Sequence, residues 1–207
     1  MESFYYHGIT DNQLECLESI LKEKSILSRS MMDEKKNLIS HHDYIGYNGK
    51  DYISICKKYY NNELSDCYEE YIRNNISLVM IDIPNVIDTK LININSEIGD
   101  YQEYFNKFHN LETRYSDLTG ESQVYKKIPL NYVVAISYPL TMLINDVKNS
   151  YMEKKEKNKF YRKIVFDYYI LKQLLKEYNF NVPIIDLETN DLVDIKIKKI
   201  KCKLIKY

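Results

Sequence analysis

Tryptophan is absent from the 207-residue sequence, and only five glycines and four prolines are present. The chain is instead rich in tyrosine, isoleucine, asparagine and lysine, which indicates an ordinary globular pattern with a codon bias laid over it. Each of the 21 tyrosines is therefore weak evidence for a binding site when it is taken singly.

Cysteine is also sparse, and no Cys-x-x-Cys pair occurs. The chain thus lacks the spacing typical of a zinc site or a dithiol redox centre. We expect reduced, buried thiols and a reducing compartment. The four cysteines are Cys16, Cys56, Cys67 and Cys202.

No charge of one sign dominates, because the formal net charge is -1 and the pI is about 6.4. Any binding to nucleic acid or to an anionic membrane would have to be local. The sequence also lacks a basic N-terminal region followed by an apolar run, and no window reaches the 18 apolar residues of a membrane span. We expect a soluble protein without a signal peptide, in the cytoplasm of its own cell or of a target cell.

The length fits one main core, and the hydrophobic patterns predict an α+β fold. We expect a core of residues 1–140 and a helical extension of residues 141–207 packed on it. Strands are predicted at residues 4–9, 51–56, 77–83, 121–128 and 132–137, and helices after Asp11, after Asn62 and over residues 141–178.

Two lysine-rich stretches are open to more than one interpretation. Residues 152–163 interrupt the helical pattern and predict a solvated helix face or a connecting loop. The last residues, 194–207, alternate isoleucine and lysine in part, which predicts a basic edge strand. The alternative for this terminus is a basic arm for RNA, DNA or anionic lipid.

Three short motifs carry the functional argument. YYHG places His7 and Gly8 on the first strand, YNGKDYISIC places Tyr52 and Ser54 on a middle strand, and GESQV opens a late strand. In this order the motifs resemble those of the ADP-ribosyltransferase superfamily, in particular its diphtheria-toxin and poly(ADP-ribose) polymerase branch, with its histidine, tyrosine and glutamate. The resemblance covers about residues 4 to 137.

The resemblance implies two small split antiparallel sheets with NAD in the cleft between them. Gly8 would then hold nicotinamide through its backbone, and His7 would hydrogen-bond the adenosine ribose. Tyr52 is the first candidate to stack on nicotinamide, with Tyr59 or Tyr60 as rivals. The alternative is that His7 is an ordinary strand histidine bonded to a carbonyl oxygen.

The third motif departs from the family pattern. Cleavage of the nicotinamide–ribose bond builds positive charge on the sugar, which a fixed carboxylate stabilises. Residues two apart on a strand share a face, so Glu121 and Gln123 would face one cleft, with Ser122 and Val124 facing away. The family places its glutamate second, where this chain has Gln123. We assign the catalytic role to Glu121, with Gln123 as a neutral occupant of the usual position.

Other side chains extend or compete with this interpretation. Arg114, ahead of the third motif, would hold a phosphate of NAD or of the target. Arg29 would do so in an RNA 2'-phosphotransferase relative, which also begins near His-Gly. His41, His42 and Asp43 are adjacent and form no persuasive metal site. No Walker loop, nucleophile elbow or Rossmann glycine motif is present.

The sequence therefore predicts an NAD-dependent mono-ADP-ribosyltransferase that uses no metal and acts on a protein or nucleic-acid target, as a toxin, effector or defence enzyme. The alternative from another class is a domain of the same fold that has lost its carboxylate and binds a nucleotide or a protein. The sequence leaves open the target and the existence of an inhibitor or antitoxin partner.

Overall fold

Short strands and helices alternate along the computed structural model, which describes residues 4–9, 12–34, 52–60, 63–65, 68–83, 87–88 and 121–204. The strands are β1 (Tyr5–Ile9), β2 (Ser25–Leu27), β3 (Tyr52–Lys57), β4 (Tyr59–Tyr60), β5 (Glu63–Leu64), β6 (Ile76–Met80), β7 (Ile87–Asp88), β8 (Glu121–Tyr125), β9 (Lys127–Pro129), β10 (Val133–Tyr138) and β11 (Ile184–Asp186). The α-helices are α1 (Gln13–Glu23), α2 (Arg29–Glu34), α3 (Leu140–Asn149), α4 (Lys154–Glu177) and α5 (Val193–Leu204).

One mixed sheet organises the described residues, with the strand order β11-β10-β6-β1-β3-β8-β7. Six of its strands have three to six residues, and β7 is a two-residue strand at one edge. All pairings are antiparallel except that of β10 with β11. Two further two-stranded ladders join β2 to β9 and β4 to β5. The predicted α+β class is confirmed.

The sheet is continuous, whereas the resemblance implied two separate sheets. β1 pairs on one side with β6 over five residue pairs and on the other with β3 over two, which are Tyr5 with Lys57 and Tyr6 with Cys56. β3 in turn pairs with β8 over five residue pairs. The sheet is therefore joined at one end of β1 and β3, and their ladder ends before His7.

The two faces of the sheet pack against different layers. The larger cluster contains Leu17 of α1, Leu78 of β6 and Leu171 of α4, so the helices cover this face. The smaller cluster, on the opposite face, contains Tyr6 and Tyr68. Tyr68 belongs to a π-helical turn, Tyr68–Ile72, which covers the centre of that face.

The last quarter of the chain completes the sheet rather than standing apart from it. β11 adds the parallel edge strand, and five buried residues of α4 join the larger cluster. The predicted basic terminal strand is wrong, because residues 193–204 form the helix α5. Val193 and Ile197 are both buried and lie four residues apart, which is the spacing of one helix face. This spacing, and not the partial alternation of isoleucine and lysine, corresponds to the observed structure.

Two other local predictions need correction, and one alternative that the sequence left open is decided in favour of a helix face. The helix expected after Asn62 is the strand β5 followed by the π-helical turn. Residues 154–163 belong to α4, so the charged run is a helix face and not a connecting loop. Cys56 is disulfide-bonded, so the expectation of reduced thiols is wrong for this residue. Spacing along the chain does not show which thiols approach in the fold.

None of the helices in the described part of the chain is both long and apolar enough to cross a membrane.

Candidate functional site

The three motif strands are neighbours in space. β3, which carries Tyr52 and Ser54, lies between β1, which carries His7 and Gly8, and β8, which begins at Glu121. These strands are separated by 42 or more residues of sequence, and the sheet brings them together in motif order. The structure thus gathers the backbones of all three predicted elements at one place.

His7 bridges β1 and β3 just beyond their two-pair ladder. Its Nδ1 lies 2.9 Å from the carbonyl oxygen of Ser54. Because a carbonyl oxygen can only accept, Nδ1 carries the proton and donates it. The other ring nitrogen, Nε2, is then an acceptor whenever the ring is neutral, and no hydrogen bond to Nε2 is found among the described residues.

The surroundings of His7 keep the ring neutral. Burial lowers the pKa of His7 below its ordinary value of 6.5, and the hydrogen bond to Ser54 opposes this effect in part. The alternative in which a strand histidine bonds a carbonyl is therefore correct for Nδ1. The hydrogen bond from Nδ1 to Ser54 also fixes the orientation of Nε2, so this nitrogen is still available for the predicted contact with ribose.

Gly8 is required by packing of the π-helical turn onto β1. A Cβ on Gly8 would lie 2.1 Å from the carbonyl oxygen of Tyr71 and 3.1 Å from Cδ1 of Ile72. Asn75 Nδ2 also donates to the carbonyl of Tyr71 at 3.0 Å, which holds that carbonyl in place. A glycine is thus needed at this position because the backbone of the π-helical turn comes close to β1. The sequence had predicted a close approach of nicotinamide instead.

The register of β8 distinguishes its two candidate positions. Ser122 and Val124 are buried, and Val124 belongs to the larger cluster, so positions 121 and 123 fall on the opposite face, as the alternation predicted. Gln123 pairs with Ser54, and Glu121 pairs with Cys56. In the register of the sheet, Gln123 and not Glu121 is therefore paired with Ser54, the residue that His7 bonds.

Two other candidates have partners of their own. Tyr59 lies in β4 and is 59% exposed, with Nζ of Lys58 5.8 Å from the centre of its ring. Arg29 begins α2 and donates through Nε to Asp33 at 2.9 Å. Ser28, next to Arg29, donates its backbone N–H to the carbonyl of Lys126, which places the start of α2 beside the end of β8.

Several predicted residues fall outside the described part of the chain or of its side chains. The backbone positions of Tyr52, Tyr60, Glu121 and Gln123 are described, but their side chains are not. Arg114 and the segment with His41, His42 and Asp43 lie outside the described residues altogether.

The sequence interpretation missed a cluster of aromatic and basic side chains beside β1. The rings of Tyr6 and Tyr68 meet edge to face, with centroids 5.3 Å apart. Nζ of Lys58 lies 5.5 Å from the centre of the Tyr68 ring and donates to the carbonyl of Leu187 at 3.3 Å. Burial raises the pKa of Tyr68 and lowers that of Lys58. An alternating strand pattern could have flagged Tyr6, but not its partners.

No protein-family model, curated protein or solved structure matches the chain. Within the described ranges, no group of three or more histidine, cysteine, aspartate or glutamate side chains could hold a metal ion.

Proposed function

We propose that the protein is an NAD-dependent mono-ADP-ribosyltransferase that acts on a macromolecular target. The observation that carries the proposal is the adjacency of β1, β3 and β8, with His7 bonded to Ser54 and Ser54 paired with Gln123. If the three motifs resembled those of the superfamily by chance, they would not be expected to lie on neighbouring strands.

NAD binds, in this proposal, at the opening where the ladder of β1 with β3 stops. Two paired residues hold the strands together, and His7 meets β3 through its side chain instead of its backbone. The Nε2 lone pair of the neutral ring accepts a hydrogen bond from a ribose hydroxyl. This opening takes the place of a cleft between two wholly separate sheets.

The reaction breaks the bond between nicotinamide and C1' of the ribose and forms a bond from C1' to a nucleophile of the target. The nucleophile releases its proton to solvent, and nicotinamide leaves with the electron pair of the broken bond. Glu121 stabilises the positive charge that develops on the ribose, since a carboxylate near the sugar favours the transition state over the substrate. Arg29 and Arg114 are the candidates to bind phosphate groups.

The test measures nicotinamide release from labelled NAD by the wild type and two variants. Glu121→Gln should lower the rate by about a hundredfold or more, because it removes the charge but keeps the shape. Glu15→Gln, which makes the same change on the exposed face of α1, should leave the rate unchanged. Equal rates in all three proteins would contradict the assignment of Glu121.

A second candidate function is an NAD- or nucleotide-binding module without turnover. It is favoured by one observation, the pairing of Ser54 with Gln123, because the position level with His7 then carries a neutral side chain. Isothermal titration of the wild type with NAD separates the two functions. Binding without nicotinamide release supports the module, and binding with release supports the enzyme.

A further inference from the structure

The first half of α4 carries a stripe of positive charge on the side away from the core. Lys155, Lys159, Arg162 and Phe166 follow each other at spacings of four, three and four, so they lie along one side of the helix. All four side chains are exposed, and Lys163 beside them is exposed as well. We call Lys155, Lys159, Arg162, Lys163 and Phe166 the α4 stripe.

This half of the helix contributes little to the core. No residue from 154 to 163 is buried, whereas the five buried residues of α4 all lie between Ile164 and Leu175. Ten residues correspond to about 15 Å of helix. Nζ of Lys157 donates to the carbonyl of Lys148 at 2.8 Å, which fixes the segment to the end of α3. The stripe is thus held in place while its outer side faces solvent.

The charges of the stripe oppose the stability of the helix that carries them. Cations near a helix N-terminus interact unfavourably with the helix dipole, and like charges three or four residues apart repel each other. The carboxylates of Glu153 at the N-cap and Glu156 in the first turn form a capping box and offset only part of this cost. A stripe that weakens its own helix is best explained by a partner that it binds.

Some cations elsewhere in the described part of the chain have carboxylate partners. The ion pairs include Arg29 with Asp33, Arg73 with Glu69 and Lys172 with Asp194. Among the described residues, no ion pair involves Lys155, Lys159, Arg162 or Lys163. Four cations on one helix are therefore left to bind an external anion.

We propose that the α4 stripe binds single-stranded nucleic acid. A row of cations about 12 Å long matches a polyanion with regularly spaced phosphates. Phe166 continues the row, and Tyr169 and Ile170 extend its apolar end, all of them exposed. An exposed aromatic ring next to cations can stack on an unpaired base, which a duplex does not offer.

An anionic membrane fits this surface less well. A helix that lies in a lipid interface presents a continuous apolar face along its length and keeps its cations on the other side. Here the cations and Phe166 share one side, and the apolar side of α4 is buried in the core. The proposal does not depend on the NAD site, and its test uses no NAD.

The experiment measures fluorescence anisotropy of fluorescein-labelled 12-nucleotide oligo(U) and oligo(dT) with the full chain at several salt concentrations. Four phosphate contacts predict a slope of log K against log salt of about -2.8, from about -0.7 per contact. The double variant Lys159→Gln/Arg162→Gln should make this slope less steep by about 1.4. Phe166→Ala should weaken binding at least about fivefold without a change in slope.

A matched control removes the same charge elsewhere. Lys22→Gln/Lys176→Gln acts on exposed cations of α1 and of the far end of α4, and it should leave the slope unchanged. Circular dichroism checks that each variant keeps its helices. No binding of the wild type at 50 mM salt, or equal loss in the two double variants, would overturn the proposal. Binding to phosphatidylserine vesicles but to neither oligonucleotide would overturn it in favour of a membrane.

Discussion

His7 donates through Nδ1 to the carbonyl oxygen of Ser54 at 2.9 Å, at the point where the ladder between β1 and β3 ends. The contact has two effects. It joins the strands by a side chain where backbone pairing has stopped, and it fixes which ring nitrogen faces away from β3. One histidine is thus both a structural residue and the best placed candidate for binding.

Two amide variants separate these roles of His7. The amide of His7→Asn can reach the position of Nδ1 and keep the bond to Ser54, but it removes Nε2. His7→Gln extends further and places a polar atom nearer to the position of Nε2. We expect His7→Asn to weaken NAD binding by about tenfold with a loss of stability below about 1 kcal/mol. Isothermal titration and urea unfolding measure the two effects.

The comparison also has an outcome that counts against the proposed site. If His7→Asn binds NAD as the wild type does, Nε2 has no part in binding. If His7→Ala loses stability by about 1–2 kcal/mol and neither amide variant changes NAD affinity, His7 is a structural residue alone.

The lowered pKa of His7 predicts a dependence of stability on pH. Because the folded protein binds this proton less readily than the unfolded chain, the unfolded chain holds more protons below about pH 6.5. Stability is therefore present above pH 6.5 and falls as the pH decreases below it, by at most about 1.4 kcal/mol per unit. Urea unfolding at pH 7.5 and 5.5 should show this component in the wild type and not in His7→Asn.

Gly8→Ala should destabilise the protein by about 1–3 kcal/mol, because the added methyl group would meet the carbonyl oxygen of Tyr71. Urea unfolding measures the change. Ser137→Ala, in the same row of the sheet, is the matched control: Ser137 Oγ is buried and has no hydrogen-bond partner among the described residues, so its removal should be neutral or mildly stabilising. A loss below 0.5 kcal/mol for Gly8→Ala would show that the π-helical turn moves away at little cost.

The parts of the fold that the sequence predicted are those with strong local patterns. β6 and β10 are mostly apolar runs of five and six residues, and α4 has a clear helical period over its buried half. The sequence predicts a strand in place of the terminal helix α5 because Ile195 and Ile197 alternate with Lys196 and Lys198. A spacing of four between buried residues indicates a helix, whereas a spacing of two indicates a strand.

The motifs of the sequence lie on three strands that are neighbours in the sheet, but they do not give the register of those strands. The motifs named the strands, but the pairing of Ser54 with Gln123 rather than with Glu121 depends on the register of β3 with β8, which no short motif specifies. The role of Gly8 depends on Tyr71, 63 residues away along the chain. Long-range contacts of this kind have no local signal.

Asp186 should be a major determinant of stability. Its side chain is buried, and its carboxylate accepts hydrogen bonds from the backbone N–H of Thr141 at 2.8 Å and of Thr189 at 3.2 Å. Nζ of Lys196 lies 3.6 Å away. In Asp186→Asn the side-chain NH2 group would face one of the N–H groups that now donate to the carboxylate. We therefore expect a loss of about 2–4 kcal/mol in the free energy of unfolding.

The control for this loss contacts the same lysine. Asp191 lies 3.5 Å from Nζ of Lys196, but its side chain is 62% exposed. Asp191→Asn should therefore change stability by less than about 1 kcal/mol. Similar losses in the two variants would mean that the ion pair with Lys196, and not the buried backbone contacts of Asp186, holds β11 in place.

Gln123→Glu tests whether the position level with Ser54 is the catalytic one. A carboxylate there would occupy the position in which the superfamily carries its glutamate, so nicotinamide release should rise by roughly tenfold or more. The double variant Glu121→Gln/Gln123→Glu keeps the net charge. If only the carboxylate at position 123 matters, this variant should show the same rise in nicotinamide release as Gln123→Glu. Gln173→Glu on α4 controls for added charge. If neither variant gains activity while NAD still binds, position 123 is not the catalytic one, and nicotinamide release by the wild type then separates an enzyme that uses Glu121 from a binding module.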